Sequence, residues 1–215
     1  MMKMLELFAG SRSVGLVAEQ MGFDVFSTDI HPFSGVNLTR DVLDLDVSDF
    51  PFVPDVIWAS PPCTFFSVAS IGHHWHPDHT PKTKEAVLGV AIVQKTLDII
   101  DHFVSVHPDC KWFMENPRGK LRKLDVVAGR DRTTVMYCRY GEDRMKPTDI
   151  WSNHIASLFK TGWTPRSECW NGNTDCHHKS APRGSRTGTQ GMANAYEKSK
   201  IPVELTREIL ESVLD

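Results

Sequence analysis

MLELFAGSRSVGLVAEQM, residues 4–21, sets the architecture. Met4–Phe8 is a short apolar run that stops at Ala9-Gly10-Ser11; Ser13 then leads into Val14, Leu16, Val17, Ala18 and Met21. The run reads as a buried strand, and apolar residues in steps of three and four behind a serine read as an amphipathic helix. Strand, glycine turn and helix in that order open a parallel α/β sheet. The pattern then recurs. Gly22 closes the helix, Asp24–Thr28 alternates as a second strand ending at Asp29, and Leu38–Leu45 holds a third. Asp55–Ala59 is a fourth, stopped by Ser60-Pro61-Pro62-Cys63 because paired prolines cannot continue a central strand. A long helix is expected over Lys84–Val106 and a strand over Lys111–Glu115, broken by Asn116-Pro117. Strand-like pieces follow at Thr133–Cys138 and Thr148–Trp151, and an amphipathic helix at Val203–Leu214. Residues 160–195 are rich in Gly, Ser, Thr and Pro, without periodicity. The fold class is α/β: a mostly parallel sheet with helices on both faces and a small irregular C-terminal insertion. The expected divisions are a core over 1–159, the insertion over 160–192 and a returning helix over 193–215.

Composition excludes several classes. With 215 residues and 40% hydrophobic side chains the chain builds a core of its own. No apolar stretch approaches the ~20 residues of a membrane span, and no charged segment followed by an apolar one opens the chain as in a secretory signal. Five scattered cysteines suit a reducing cytoplasm better than a disulfide framework. The net charge is −3, but residues 1–109 carry 6 basic and 14 acidic residues and residues 110–215 carry 18 and 13. Such asymmetry fits one face turned to phosphates, and equally a lopsided solvated surface.

In parallel sheets ligands bind at the carboxyl ends of strands. Unusual residues collect there: Phe8-Ala9-Gly10, Asp29, Asp44, Ser60–Cys63 and Glu115–Pro117. A glycine turn admits a ligand to the backbone or is simply a turn, and the G-x-G-x-x-G phosphate spacing is absent. Asp29, 19 residues after Gly10, suits the ribose of a nucleoside cofactor, or caps a turn before Pro32. Cys63, immobilised by two prolines, reads as a nucleophile activated by a helix N-terminus or nearby cations. The alternative is a small buried hydrophobe. Glu115, flanked by apolar residues, is expected to keep its proton and act as a general acid, or else to pair with an arginine. Four histidines in residues 73–79 read as a metal-binding run or a contact loop. Arg118, Lys120, Arg122, Lys123, Arg130 and Arg132 are a phosphate track or a solvated loop. Cys169, Cys176 and His178 read as a zinc site, with Cys138 as a further ligand, or as free cysteines in a polar loop.

F-A-G after the first strand, P-P-C-T-F-F-S after the fourth and E-N-P after the fifth resemble the ordered signature of DNA (cytosine-5)-methyltransferases, in particular the short bacteriophage forms. Tyr137–Gly141, Lys146–Trp151 and Ala181–Ser185 extend the likeness over nearly the whole chain. The resemblance implies a Rossmann-like class I S-adenosylmethionine-dependent fold. S-adenosyl-L-methionine would lie against Phe8, Ala9, Gly10, Ser11, Ile30 and Pro61, with Asp29 on its ribose and Asp44 near its adenine. Cys63 would add to C6 of a cytosine flipped from double-stranded DNA, Glu115 would hold and protonate N3, and Arg139 would support the base. Ser67, His73, His74, Trp75, Arg118, Lys120, Arg122, Arg183 and Arg186 would meet the DNA. A monomer in the cytoplasm of a bacterial or phage-infected cell is implied, in a modification role. Pro117 departs from the family's Glu-Asn-Val, and a two-arginine motif is reduced to Arg139. The short insertion implies a short target. Three other readings remain. Ser60-Pro61-Pro62 also suits exocyclic-amine methylation, though Cys63 replaces its aromatic; the substrate is RNA or a free nucleotide; or the chain is a catalytically silent DNA-binding protein.

Overall fold

The computed structural model describes residues 1–68, 70–180 and 195–214. The strands are β1 (Lys3–Leu7), β2 (Asp24–Asp29), β3 (Leu38–Thr39), β4 (Val56–Ala59), β5 (Lys111–Pro117), β6 (Arg132–Met136) and β7 (Pro147–Ser152). The helices are α1 (Gly15–Gln20), α2 (Ile71–His74), α3 (Lys84–Val106), α4 (Ala195–Ser199) and α5 (Val203–Leu214). All seven strands join one sheet in the order β3-β2-β1-β4-β5-β7-β6. The pairs β1–β2, β2–β3, β1–β4 and β4–β5 are parallel; β7 runs antiparallel to β5 and β6. The chain builds outward from β1 to β3, then returns to lay β4 on the other side of β1. The loops after β1 and β4 therefore leave in opposite directions and open a crevice between them.

Strand alternation divides the core between the two faces. Leu5, Leu7, Ile57, Ala59, Trp112 and Met114 pack with Val93, Leu97 and Ile100 of α3. Met4, Val56, Trp58 and Phe113 pack with Val14, with Ala18 of α1 and with Leu205, Ile209 and Leu210 of α5. Each such aliphatic or aromatic side chain contributes about 1.5–3 kcal/mol on burial. Helix α3 begins where Thr83 accepts a hydrogen bond from the Ala86 N–H, 3.2 Å. Among the described residues no helix is long and apolar enough to cross a membrane, and the five cysteines are free.

Several boundaries differ from the sequence expectation, and β6 stops at Met136 instead of Cys138 because the 3-10 turn Tyr137–Tyr140 begins there. Strand β3 is only two residues long, because Asp41 and Asp46 each cap a single 3-10 turn, Val42–Asp44 and Val47–Asp49. The Asp41 carboxylate accepts from the Leu43 N–H at 3.0 Å, giving the backbone a local alternative to the sheet. Strand β5 in turn continues through Asn116-Pro117. Its last β4 partner is Met114, opposite Ala59, so the missing N–H of Pro117 lies beyond that ladder.

At the first turn the Gly15 N–H donates to Glu6 Oε1 at 2.8 Å and the Ser27 hydroxyl to Oε2 at 2.7 Å. Burial pushes the Glu6 carboxyl above its usual range, while Ser27, Gly15 and Arg12 oppose the rise. A Cβ on Gly15 would stand 2.4 Å from Glu6 Oε2. Gly15→Ala is therefore expected to destabilise the protein by about 1–3 kcal/mol through overpacking, despite the ~1 kcal/mol alanine gains over glycine in a helix. Urea unfolding measures this; an unchanged or higher midpoint would contradict the close approach.

Candidate active site

The crevice between β1 and β4 is lined first by the β1 loop. Phe8 (φ 61°) and Gly10 (φ 50°) are left-handed, which lifts the loop off the sheet and turns it toward α1. Ala9 N–H holds the Thr28 carbonyl at 2.9 Å. Asp29, at the end of β2, accepts the Gly10 N–H on Oδ2 and the His31 N–H on Oδ1, both at 2.9 Å. Each carboxylate oxygen keeps a lone pair for a further donor, and the side chain is half-buried. Phe8 and Ser11 are half-buried, Ile30 exposed, Ala9 and Pro61 buried. Asp44 is exposed at the end of the 3-10 turn after β3.

Cys63 and Glu115 meet across the ends of β4 and β5. Asn116, fully buried, donates from Nδ2 to the Pro61 carbonyl at 2.9 Å, and the Lys120 N–H donates to the Phe66 carbonyl at 2.8 Å. These bonds fasten the double-proline turn to β5. Past the turn, the Cys63 carbonyl accepts the N–H groups of Phe66 and Ser67, both at 3.0 Å. Glu115 is 5% exposed. Its carboxyl is raised by burial, an effect opposed by the Lys146 ammonium and by hydrogen bonds from the hydroxyls of Tyr137 and Ser60. The Tyr137 bond is 3.0 Å long, and the indole N–H of Trp58 holds the Ser60 hydroxyl at 2.9 Å. The Cys63 thiol is pushed up by burial and next by the Glu115 carboxylate, with Lys146 opposing. The thiol is therefore not ionised in advance. Burial thus disfavours the charged form of both the acid and the thiol.

Lys146 is the functional residue that the sequence reading missed. It is 6% exposed, its ammonium lies 4.4 Å from the centre of the Tyr137 ring, and burial lowers its pKa against the pull of Glu115 and Cys63. A lysine before a proline reads as a surface cation. Only the pairing of β7 with β5, which sets Thr148 opposite Pro117, brings it inward. Arg139 was expected to support the base, but its guanidinium donates to Ser167 Oγ at 2.9 Å in the following segment. Lys146, not Arg139, is the cation acting on Cys63 and Glu115.

Other expected contacts are corrected by burial. Trp75 is 2% exposed, stacks on Phe66 and donates to the Phe65 carbonyl at 2.7 Å, so it belongs to the core. His74 is buried with Nδ1 2.8 Å from Thr83 Oγ1. Lys120 is buried over the Trp75 ring, with Nζ 2.6 Å from His79 Nδ1. It pins the histidine-rich loop instead of reaching outward. Arg122 is taken up by the fully buried Asp149, holding Oδ2 from Nε at 2.8 Å. Ser67 bonds Ser70 at 3.0 Å. His73 is exposed and Arg118 half-buried. Arg183 and Arg186 lie outside the described residues. The histidine run forms no metal-binding group; among the described residues one such group occurs, Cys138, Cys169, Cys176 and His178.

No family model matches the chain. It is 29% identical over 168 residues to a protein of Frog virus 3 (isolate Goorha) named "Probable DNA (cytosine-5)-methyltransferase", covering 74% of each. The structure of Entamoeba histolytica methyltransferase EhMeth aligns with a TM-score of 0.53 at 10% identity, over 79% of this chain and 58% of that one. S. pombe Dnmt2 methyltransferase aligns with a TM-score of 0.46 at 13% identity, over 78% and 52%. The chain spans about half the length of the solved structures it matches. The likeness to EhMeth shows the fold alone, a Rossmann-like sheet with helices on both faces.

The electrostatics of Cys63 are open to direct measurement. Because the Glu115 carboxylate raises the thiol and the Lys146 ammonium opposes it, Glu115→Gln is expected to speed alkylation of Cys63 by iodoacetamide severalfold in alkaline buffer, and Lys146→Met to slow it. The thiolate is the reacting form, and these charges respectively raise and lower its pKa. Peptide mass spectrometry at Cys63 reads the rate; equal rates in all three proteins would separate the thiol from both groups.

Proposed function

We infer that the chain is a DNA (cytosine-5)-methyltransferase that transfers a methyl group from S-adenosyl-L-methionine to C5 of cytosine through a covalent bond to Cys63. The observation that carries this reading is the joint presentation, at neighbouring strand ends, of a thiol and a buried carboxyl that Tyr137 holds at 3.0 Å and whose pKa burial raises. The viral relative supports it by name.

Cys63 gives its thiol proton to water as Sγ adds to C6 of a cytosine turned out of the duplex. The C5=C6 electrons move into the ring, and Glu115 gives its proton to N3, so no full negative charge builds on the base. Lys146, Tyr137 and Ser60 then stabilise the carboxylate left behind, which is otherwise costly to bury. C5 is now nucleophilic. S-adenosyl-L-methionine, when bound, supplies an electrophilic sulfonium methyl. H5 then passes to water, the Glu115 carboxylate takes back the N3 proton and the Sγ–C6 bond breaks, which restores the aromatic ring and the Cys63 thiolate. The β1 loop suits that cofactor: Phe8 is accessible beside the crevice, and Asp29 retains acceptor capacity for ribose hydroxyls. Asp44, Ser11, Ile30 and Pro61 complete the proposed surround, with Asp44 toward the adenine.

For DNA, His73, Ser67, Arg118 and Lys123 are the candidates on the mouth side, Arg118 and Lys123 having no acidic partner among the described residues. Residues 160–192, short as they are, are proposed to read a two- to four-base target. The reading takes the enzyme to work as a monomer in the cytoplasm.

Trapping on DNA containing 5-fluorocytosine tests the reading, because fluorine at C5 blocks the final elimination. A denaturation-resistant adduct on Cys63 is expected, dependent on cofactor and abolished by Cys63→Ser. Glu115→Gln is expected to lower kcat by about 10²–10⁴-fold, and Lys146→Met to lower it further than Lys146→Arg. Methyl transfer to an exocyclic amine, or transfer to RNA alone, would overturn it.

A further inference from the structure

We propose that Cys138, Cys169, Cys176 and His178 form a closed tetrahedral site for one zinc ion, which fastens residues 153–180 to the turn beneath Glu115. The proposal is independent of the reaction assigned above. Cys138 comes from the 3-10 turn Tyr137–Tyr140 after β6, and the other three from the loop that follows β7. Their four ligand atoms lie within 4.8 Å of one another. Zinc with arms of ~2.3 Å to sulfur and ~2.0 Å to nitrogen requires S···N edges of about 3.6 Å and S···S edges of about 3.8 Å. Cys169 Sγ stands 3.6 Å from His178 Nδ1. A disulfide would use two thiols and leave the third stranded beside an imidazole.

The surroundings are those of a metal site. Cys138, Cys169 and His178 are buried, and Met136 and Met145 pack around the sulfurs. The amide of Asn173 donates to Cys169 Sγ at 3.4 Å, and the His178 backbone N–H donates to Cys176 Sγ, as outer groups do for zinc-bound thiolates. His178 Nε2 is buried with no hydrogen-bond partner among the described residues, which leaves the ring's position unexplained by hydrogen bonding alone. His177 points the other way, with Nε2 3.0 Å from the Glu142 carbonyl. That outward turn resolves the crowding that adjacent histidines present in the sequence. No position is left open for water or substrate, so the ion is structural. It holds the turn carrying Tyr137, whose hydroxyl reaches Glu115.

Native mass spectrometry and elemental analysis of the intact protein decide the matter. One zinc per chain is expected, lost in Cys138→Ser, Cys176→Ser and His178→Ala and retained in Cys110→Ser, whose thiol is buried elsewhere. Stripping the ion with a chelator should lower Tm, and Co²⁺ should restore it with the visible spectrum of a tetrahedral thiolate complex. A metal-free wild-type protein, stoichiometric iron, a bond between two of the three cysteines, or full zinc content in Cys138→Ser would each overturn the assignment. The wild-type mass answers even if a variant fails to fold.

Discussion

A carboxyl group withheld from water at the end of β5 governs the arrangement around it. An ionised carboxylate in that position costs several kcal/mol unless partners surround it. The partners of Glu115 come from three other parts of the sheet: Ser60 after β4, braced by Trp58, Tyr137 after β6, and Lys146 before β7. No stretch of the chain supplies them all. The antiparallel β7 inserted between β5 and β6 is what draws the last two in. Cys63 then sits in the same low-polarity space, which raises its thiol together with the acid.

Much of the frame was readable beforehand because its signals are local. Helix α3 announces itself by apolar spacing behind Thr83, and the strand-end position of Cys63 follows from two prolines. Failures came where partners are remote. Arg122 and Lys120 look alike in a basic stretch, yet one is claimed by Asp149, 27 residues on, and the other lies across Trp75. Trp75, among histidines and a proline, reads as a surface residue until Phe66 stacks on it. Lys146 was overlooked for the same reason in reverse. Met145 and Pro147 flank it in sequence without marking it, and only the folded sheet sets its ammonium over the Tyr137 ring beside Glu115 and Cys63.

The charge asymmetry looks different once pairs are assigned. In the basic half, Arg122 and Arg132 bind Asp149, Arg130 binds Asp101, and Arg144 binds Glu142. Arg166 is held by Glu204 and Glu208. Among the described residues only Arg130–Asp101 crosses between the halves, so pairing leaves most of the surplus in place while it occupies Arg122, Arg130 and Arg132 of the basic stretch.

The turn Tyr137–Tyr140 carries two phenols that serve different masters. Tyr137 bonds Glu115 at 3.0 Å, while the Tyr140 hydroxyl takes the Arg166 N–H at 2.9 Å and reaches Glu208 of α5 at 3.5 Å. Glu208 also receives Trp163 Nε1 at 3.1 Å and Arg166 Nε at 2.7 Å. The last helix is thereby geared to the reacting end of the sheet through four residues of backbone. A change at Glu208 therefore acts on the turn that carries Tyr137, and a fusion partner pulling on that helix pulls on the same linkage.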